Sequence, residues 1–147
     1  VLNNDFAWAW QVMMQKDGYT CICLDEMHLF LRNPYMRKLL QSSVYRARKY
    51  NGMIGCCTQR VLQCLNSEYD EEVSAILDMS PTKFLFHPGP VDHDVIKDKL
   101  KLTDGESNYI SNSHKGHCLV MAGHERYAVH IGKMPHEDAL FGSGGGR

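Results

Sequence analysis

The sequence predicts an α/β fold in which a parallel sheet is flanked by helices and followed by an antiparallel hairpin. Three features of the chain lead to this prediction. Short uninterrupted apolar runs are typical of strands in a parallel sheet, segments with helical periodicity separate them, and two strand-like segments near the end flank Gly123-His124. Because helices cover both faces of such a sheet, we expect three layers.

The first half of the chain alternates helix and strand. Residues 5–16 predict a helix, because apolar side chains recur there at helical spacing, namely Phe6, Trp10, Met13 and Met14. Residues 19–24 form a continuous apolar run, which predicts a strand buried on both faces. Pro34 opens a second helix that extends to about residue 50, and residues 53–57 predict the next strand.

The second half continues the alternation of helix and strand and then ends in the predicted hairpin. Ser67 and Asp70 resemble a capping box at the start of a helix, and residues 83–86 predict a third strand. A helix over residues 90–100 is expected to turn its apolar side chains inward, at Val91, Val95, Ile96 and Leu100.

The last predicted elements are a capped helix and the hairpin. Thr103 and Glu106 form a second capping box. Residues 117–122 and 126–131 are the two strands of the hairpin. Residues 142–147 are glycine-rich and predict a flexible tail, so that 1–141 is one domain or part of one.

Composition excludes several classes of protein. Hydrophobic residues make up 44% of the chain, charged residues 22%, and the formal net charge is -1, so no global field favours nucleic acid or a membrane. None of the six cysteines forms a CxxC pair, and most lie in apolar runs that predict buried strands. A reducing, cytoplasmic compartment is therefore expected. Because the chain begins with Val1, we expect a piece of a longer protein.

The sharpest local motif is Cys21-Ile22-Cys23-Leu24-Asp25-Glu26, an apolar strand followed by two acids. Ligands bind at the carboxyl ends of parallel strands, where Asp25 can hold the water shell of Mg²⁺ against nucleotide phosphates. Glu26 can then orient or deprotonate an attacking water. This is the Walker B pattern. The alternative is that Asp25 only caps the following helix.

A second strand ends in polar residues at Thr58-Gln59. If it lies beside the first strand, the Gln59 amide can sense a γ-phosphate or the lytic water, since it both donates and accepts hydrogen bonds. The alternative is a loop glutamine that faces solvent. His28, two residues beyond Glu26, is a candidate for lining the same nucleotide crevice, or else it packs at a helix N-terminus.

A basic segment separates these two motifs. From Arg32 through Ser67 the chain has seven basic residues, Arg32 included, and no acid. Arg48 is the candidate for an arginine finger that reaches a phosphate held by a neighbouring subunit, with Arg46 as the second choice. The alternative is a solvated helix face. A metal site built from His114, His117, Cys118, His124 and His130 is not expected, because four converging ligands cannot be identified.

The ordered motifs LDEMHLFL, RARKYNGMIGCCTQ, SPTKFLF and GHCLVMAGHERYAVHIGKMPHEDALF resemble the conjugative type IV secretion ATPases of the TraC/TrbE class, the large VirB-family ATPases. The resemblance extends almost to Phe141. It implies the C-terminal half of a partial RecA-like P-loop NTPase domain of the HerA/FtsK type over residues 1–141. By this resemblance Asp25 and Glu26 take the Walker B roles, Gln59 is the sensor and Arg48 the finger.

The resemblance also implies partners and a location. The full-length protein is expected to bind ATP and Mg²⁺, and to form a hexamer at the cytoplasmic face of the membrane. It would energise conjugative DNA transfer with type IV channel and coupling proteins, and DNA is left open as a partner.

The phosphate-binding loop of the family is missing from this sequence. No GxxxxGK[ST] motif occurs, since Met134 follows Gly132-Lys133. We therefore expect the Walker A strand and helix to lie upstream, and this chain alone to bind no nucleotide tightly. Two rival functions remain: a DNA-pumping motor of the FtsK or coupling-protein kind, and a nucleotide-free module that docks on channel components.

Overall fold

The structure is a computed structural model that describes residues 2–15, 17–64 and 70–137. The chain divides into two compact units, one of Val1–Pro81 with Gly89–Lys101 and one of Thr82–Pro88 with Leu102–Arg147. The predicted cap at Ser67, the domain end at residue 141 and the glycine-rich tail lie outside the described residues. In the described part, no helix combines the length and apolar character needed to cross a membrane.

The first unit contains a parallel pair of strands and most of the helices. Its elements are α1 (Leu2–Met14), β1 (Thr20–Leu24), α2 (Met27–Leu31), α3 (Pro34–Arg46), a 3₁₀ helix (Ala47–Tyr50), β2 (Gly52–Cys56), α4 (Val61–Cys64), α5 (Asp70–Met79) and α6 (His93–Lys99). Asn33 caps α3 by accepting hydrogen bonds from the backbone of Tyr35 and Met36, and Pro34 occupies the first turn as predicted.

Strands β1 and β2 pair in parallel, with Thr20 opposite Gly52 and Leu24 opposite Cys56. The backbone pairing continues beyond both strands. Cys57 N–H donates to Leu24 O at 2.8 Å, and Met27 N–H donates to Cys57 O at 2.8 Å. The α/β class and the parallel pairing of these two strands are therefore confirmed.

The core of this unit lies on one face of the parallel pair. Ile22 and Leu24 are buried with side chains of α1, α2, α3 and α5, among them Phe6, Trp10, Met13, Phe30, Leu40 and Val73. As the periodicity of α1 predicts, Trp10 is 5% exposed and Trp8 is 67% exposed.

The opposite face of the strands is open within the described residues. Cys21 and Cys23 are exposed, and so is Met53 on β2. The prediction that β1 is covered on both faces is therefore wrong for the residues that the structure describes. The prediction that most cysteines are buried is also wrong, because only Cys64 and Cys118 are buried.

Gly52 is the point of closest approach between β2 and α1. A Cβ atom on Gly52 would overlap Sδ of Met13, a side chain with no exposed surface. We expect Gly52→Ala to lower the free energy of unfolding by about 1–3 kcal/mol, because the buried Met13 side chain would have to move. Chemical denaturation of the purified chain measures this change.

Gly55→Ala, in the same strand, is the matched control. Its added Cβ would meet Sγ of Cys23 at 3.9 Å, an ordinary contact distance. We expect the Gly55 variant to retain the stability of the parent chain. If the two substitutions lower the free energy of unfolding equally, the loss comes from placing alanine in the strand and not from the displacement of Met13.

The helix α6 begins later than the sequence predicts. Asp92 is its N-cap residue, and Oδ1 of Asp92 accepts a hydrogen bond from the backbone of Leu62 at 2.8 Å. Residues 90–92, which include Pro90, form a turn ahead of the helix. Val91 is 73% exposed, and the prediction that it faces inward is wrong.

The second unit is an antiparallel sheet with one helix. Its elements are β3 (Thr82–Leu85), α7 (Asp104–Ser111), β4 (His117–Ala122) and β5 (Glu125–His130), in the strand order β3-β4-β5. The predicted hairpin is confirmed, and Gly123 adopts φ 61° in its two-residue turn. The third strand of the sequence, β3, pairs antiparallel with β4 and does not extend the parallel pair.

The predicted capping box of α7 is present. Thr103 Oγ1 accepts from Glu106 N–H at 3.3 Å, and Thr103 N–H donates to Glu106 Oε2 at 2.7 Å. Arg126 on β5 donates to the same carboxylate at 2.7 Å, which connects the hairpin to the helix. The hydrogen bond from the Thr103 backbone, aided by the Arg126 charge, holds the pKa of Glu106 below its usual range.

Candidate functional site

The acid pair lies at the carboxyl end of β1. Asp25 is exposed, and its Oδ1 accepts the backbone N–H of Glu26 at 2.9 Å. Glu26, not Asp25, is the N-cap residue of α2. Because the N–H of Met27 donates to Cys57 O, this first amide of the helix is satisfied by the neighbouring strand. The arrangement does not support helix capping as the role of Asp25.

Thr58 and Gln59 follow the end of β2, beside the acid pair. The two strands are parallel and in register, so residues after Leu24 and after Cys56 emerge at the same edge of the sheet. Oγ1 of Thr58 lies 3.5 Å from Nδ1 of His28, which brings the loop after β2 into contact with the first turn of α2. Gln59 is exposed at this edge. In this geometry the acid pair Asp25-Glu26 and the Gln59 amide could contact the same ligand.

Glu26 is held in an unusual backbone conformation. Its φ of 52° and ψ of 49° lie in the left-handed region, which side chains other than glycine seldom adopt. Its side chain is 34% exposed, yet the Oε2 atom is buried and makes no aligned hydrogen bond. Strained residues and unpaired buried polar atoms are both enriched at functional sites.

His28 is almost fully buried beneath this carboxylate. The residue is 7% exposed, and its Nδ1 lies 3.1 Å from Oε2 of Glu26. The distance is that of a hydrogen bond, but the orientation is not aligned for one. The sequence left two roles open for His28, lining the nucleotide crevice or packing at a helix N-terminus, and the structure places its Nδ1 against Glu26 and Thr58 in the first turn of α2.

Arg48 lies at the other end of the strands. It lines a shallow pocket of about 480 Å³ together with residues that begin or precede the strands, namely Tyr19, Thr20, Cys21, Asn51, Gly52 and Met53. A strand of five residues spans about 17 Å. Arg48 is therefore separated from Asp25 and Glu26 by the length of the sheet, and the structure does not bring it into their site.

Arg46 has a different environment. Its guanidinium donates to the Tyr50 hydroxyl at 2.9 Å and stacks near the rings of Trp10 and Tyr50, at 5.9 and 5.6 Å from their centroids. These contacts are of the kind that hold an arginine against a core aromatic. They give Arg46 a packing role at the end of α3.

Contacts of Cys64 and Arg60 near the site were not predicted from the sequence. The Cys64 thiol donates to Thr58 Oγ1 at 3.6 Å, and Arg60 N–H donates to the same oxygen at 3.1 Å. Burial raises the pKa of Cys64, which keeps the thiol protonated as a donor. The short helix α4, which delivers Cys64, is too brief to leave a periodic pattern.

The described part of the chain contains no metal-binding cluster. No group of three or more His, Cys, Asp or Glu side chains there could hold an ion. The rings of His117 and His130 stack at 4.4 Å, with His114 at 6.4 Å from His117. A magnesium ion bound through water and nucleotide phosphates needs only one or two carboxylates, which Asp25 and its neighbour fit.

The chain resembles a known protein in structure. No family model and no curated protein matches it. Among solved structures, VirB4 of Thermoanaerobacter pseudethanolicus is similar to it, with a TM-score of 0.86 and 26% sequence identity. The match covers 92% of this chain and 37% of the VirB4 chain.

The chain thus spans little more than a third of the length of the VirB4 protein that it matches. Agreement of the fold over nearly the whole of this chain is far more specific than any single motif in it. The chain is VirB4-like in sequence and fold, which confirms the resemblance to type IV secretion ATPases that its ordered motifs indicate.

Proposed function

We propose that this chain forms the Walker B side of the motor domain in an ATPase that energises conjugative DNA transfer through a type IV secretion system. One observation carries the proposal. In a VirB4-like fold, two parallel strands in register end at the same edge, one followed by Asp25-Glu26 and the other by Thr58-Gln59. That edge is where α/β sheets bind their ligands.

Each of the three side chains has a role that suits its environment. When Mg²⁺–ATP is bound, the nucleotide supplies the γ-phosphoryl group and the ion neutralises part of the phosphate charge. Asp25 is exposed and would hold the water shell of the ion. Glu26 would accept a proton from the attacking water. Gln59, exposed on the adjacent loop, would donate to the γ-phosphate or orient that water.

The assembly of the full-length protein is part of the same proposal. We place it in a hexameric ring at the cytoplasmic face of the membrane, in contact with channel and coupling proteins. Arg48 lies at the far end of the strands from the acid pair, so a role for Arg48 in hydrolysis would require it to act on a nucleotide held by a neighbouring subunit.

Asp25→Asn in the full-length protein tests the proposed function. We expect Mg²⁺-dependent ATP hydrolysis to fall by about 10²-fold or more, because an amide holds the ion's water shell less strongly than a carboxylate does. Steady-state hydrolysis measured over a range of Mg²⁺ concentrations provides the readout.

Asp17→Asn is the matched control for this experiment. Asp17 is exposed and precedes β1, so its loss removes a carboxylate from the other end of the strand. We expect it to leave hydrolysis unchanged. Hydrolysis that Asp25→Asn leaves unchanged would refute the ion-binding role of Asp25, and a full-length protein that neither binds nor hydrolyses ATP would belong to a nucleotide-free module.

A further inference from the structure

His28 approaches the buried carboxylate oxygen of Glu26, the candidate base. Its Nδ1 lies 3.1 Å from Glu26 Oε2, while the histidine itself is only 7% exposed. Burial of a carboxylate oxygen without an aligned hydrogen bond lowers the stability of the folded protein. The imidazole nitrogen that approaches this oxygen therefore points to a role other than stability.

The backbone fixes both partners of this contact. Glu26 is in the left-handed conformation, which turns the chain sharply between β1 and α2. Met27 N–H is anchored on Cys57 O at 2.8 Å, so the first turn of α2 is tied to the end of β2. His28 lies in that turn and has little freedom to move away from the carboxylate.

A second contact connects His28 to the loop that carries Gln59. Thr58 Oγ1 lies 3.5 Å from His28 Nδ1, and it is itself held by the Arg60 backbone and the Cys64 thiol. Thr58 immediately precedes Gln59 in the chain. A displacement of this loop would therefore shift the His28 side chain and, through it, the Glu26 carboxylate.

We propose that His28 is a positioning residue for hydrolysis, with its single Nδ1–H directing the Glu26 carboxylate toward the attacking water. Packing of the same ring edge against Thr58 Oγ1, 3.5 Å from Nδ1, links that direction to the Gln59 loop without a second hydrogen bond. The inference rests on the proposed function. A small rotation of either side chain aligns the existing 3.1 Å contact into a charge-assisted hydrogen bond. The second carboxylate oxygen is then left to accept the proton of the water.

The test compares two substitutions of His28 in the full-length ATPase. His28→Leu removes the donor, and His28→Asn places an amide nitrogen close to the position of Nδ1. We expect His28→Leu to lower kcat by about 10- to 100-fold with little change in KM for ATP, because misplacement of a reacting group costs about this much. His28→Asn should recover most of the lost kcat.

Two controls separate positioning from simple packing. Leu29→Ala changes an exposed side chain on the same helix and should leave kcat unchanged. His28→Leu made in the Glu26→Gln background should cause no further loss, because a residue that acts through Glu26 has nothing left to position. Thermal melting of each variant shows whether it is folded.

Several outcomes would overturn the inference. A raised KM with unchanged kcat would place His28 on the nucleotide, and equal losses in folded Leu and Asn variants would show that the ring volume matters rather than the donor. If His28→Leu does not fold, the Asn variant decides, and an impaired kcat there rejects the proposal. Should Glu26→Gln stop turnover while His28→Leu does not, the inference alone fails. Full activity of Glu26→Gln would refute the underlying base assignment.

Discussion

Glu26→Gln in the full-length ATPase is expected to leave only a small residual turnover while ATP still binds. Loss of a general base typically lowers a rate by about 10²–10⁴-fold, and the neutral amide of glutamine cannot take the proton. Glutamine has almost the same size and shape as glutamate. The variant should therefore keep the left-handed turn and the packing against His28, and nucleotide affinity should remain close to that of the parent protein.

The experiment pairs steady-state ATP hydrolysis with equilibrium binding of ATP and Mg²⁺. Glu71→Gln is the matched control, because Glu71 is an exposed glutamate on α5, at a distance in sequence from the site. It should behave as the parent protein does in both measurements. Unchanged turnover by the Glu26 variant would refute its role as base, and a loss of binding together with turnover would assign it to nucleotide binding instead.

Local patterns in the sequence predicted the elements of the fold well. The periodicity of Phe6, Trp10 and Met13 and the capping box at Thr103 depend on neighbours within one or two turns of a helix, and the structure confirms both. The edge position of Asp25 and Gln59 follows from a similar short-range rule. A polar residue directly after an apolar strand lies at the carboxyl end of that strand.

Features that depend on distant parts of the chain were not predicted. An apolar run predicts a strand but not its partner, so the antiparallel pairing of β3 with β4 left no local signal. The exposure of Cys21 and Cys23 depends on what covers that face of the sheet, which a local hydrophobic pattern does not specify. Cysteine is apolar enough to suit a buried strand and small enough to be tolerated at an open one.

The partner of His28 was missed for a geometrical reason. Residues two apart on a regular helix point in different directions, so a contact between Glu26 and His28 is not expected from their spacing. It forms because Glu26 is in the left-handed region, outside the helix that His28 belongs to. Recognition of that turn from sequence would require a glycine or asparagine, and a glutamate gives no such signal.

Arg48→Ala in the full-length ATPase is expected to lower turnover by about 10³-fold or more, as removal of an arginine finger does in related phosphoryl transfers. Arg48 is exposed near the amino ends of β1 and β2 and lines the pocket there. Lys49→Ala removes the same charge one residue later and should retain activity. If Arg46→Ala stops turnover in a folded protein and Arg48→Ala does not, the finger is Arg46 despite its contacts with Trp10 and Tyr50.

A mixture of two inactive variants tests whether Arg48 acts on a neighbouring subunit. Glu26→Gln subunits retain Arg48, and Arg48→Ala subunits retain Glu26, so a ring containing both forms some sites with both groups in place. In a randomly mixed ring of equal parts, about one quarter of the sites are complete if each is built by two adjacent subunits. Mixing should therefore restore activity toward that fraction of the parent rate. A finger acting within its own subunit would leave the mixture inactive, because no subunit would then carry both Glu26 and Arg48.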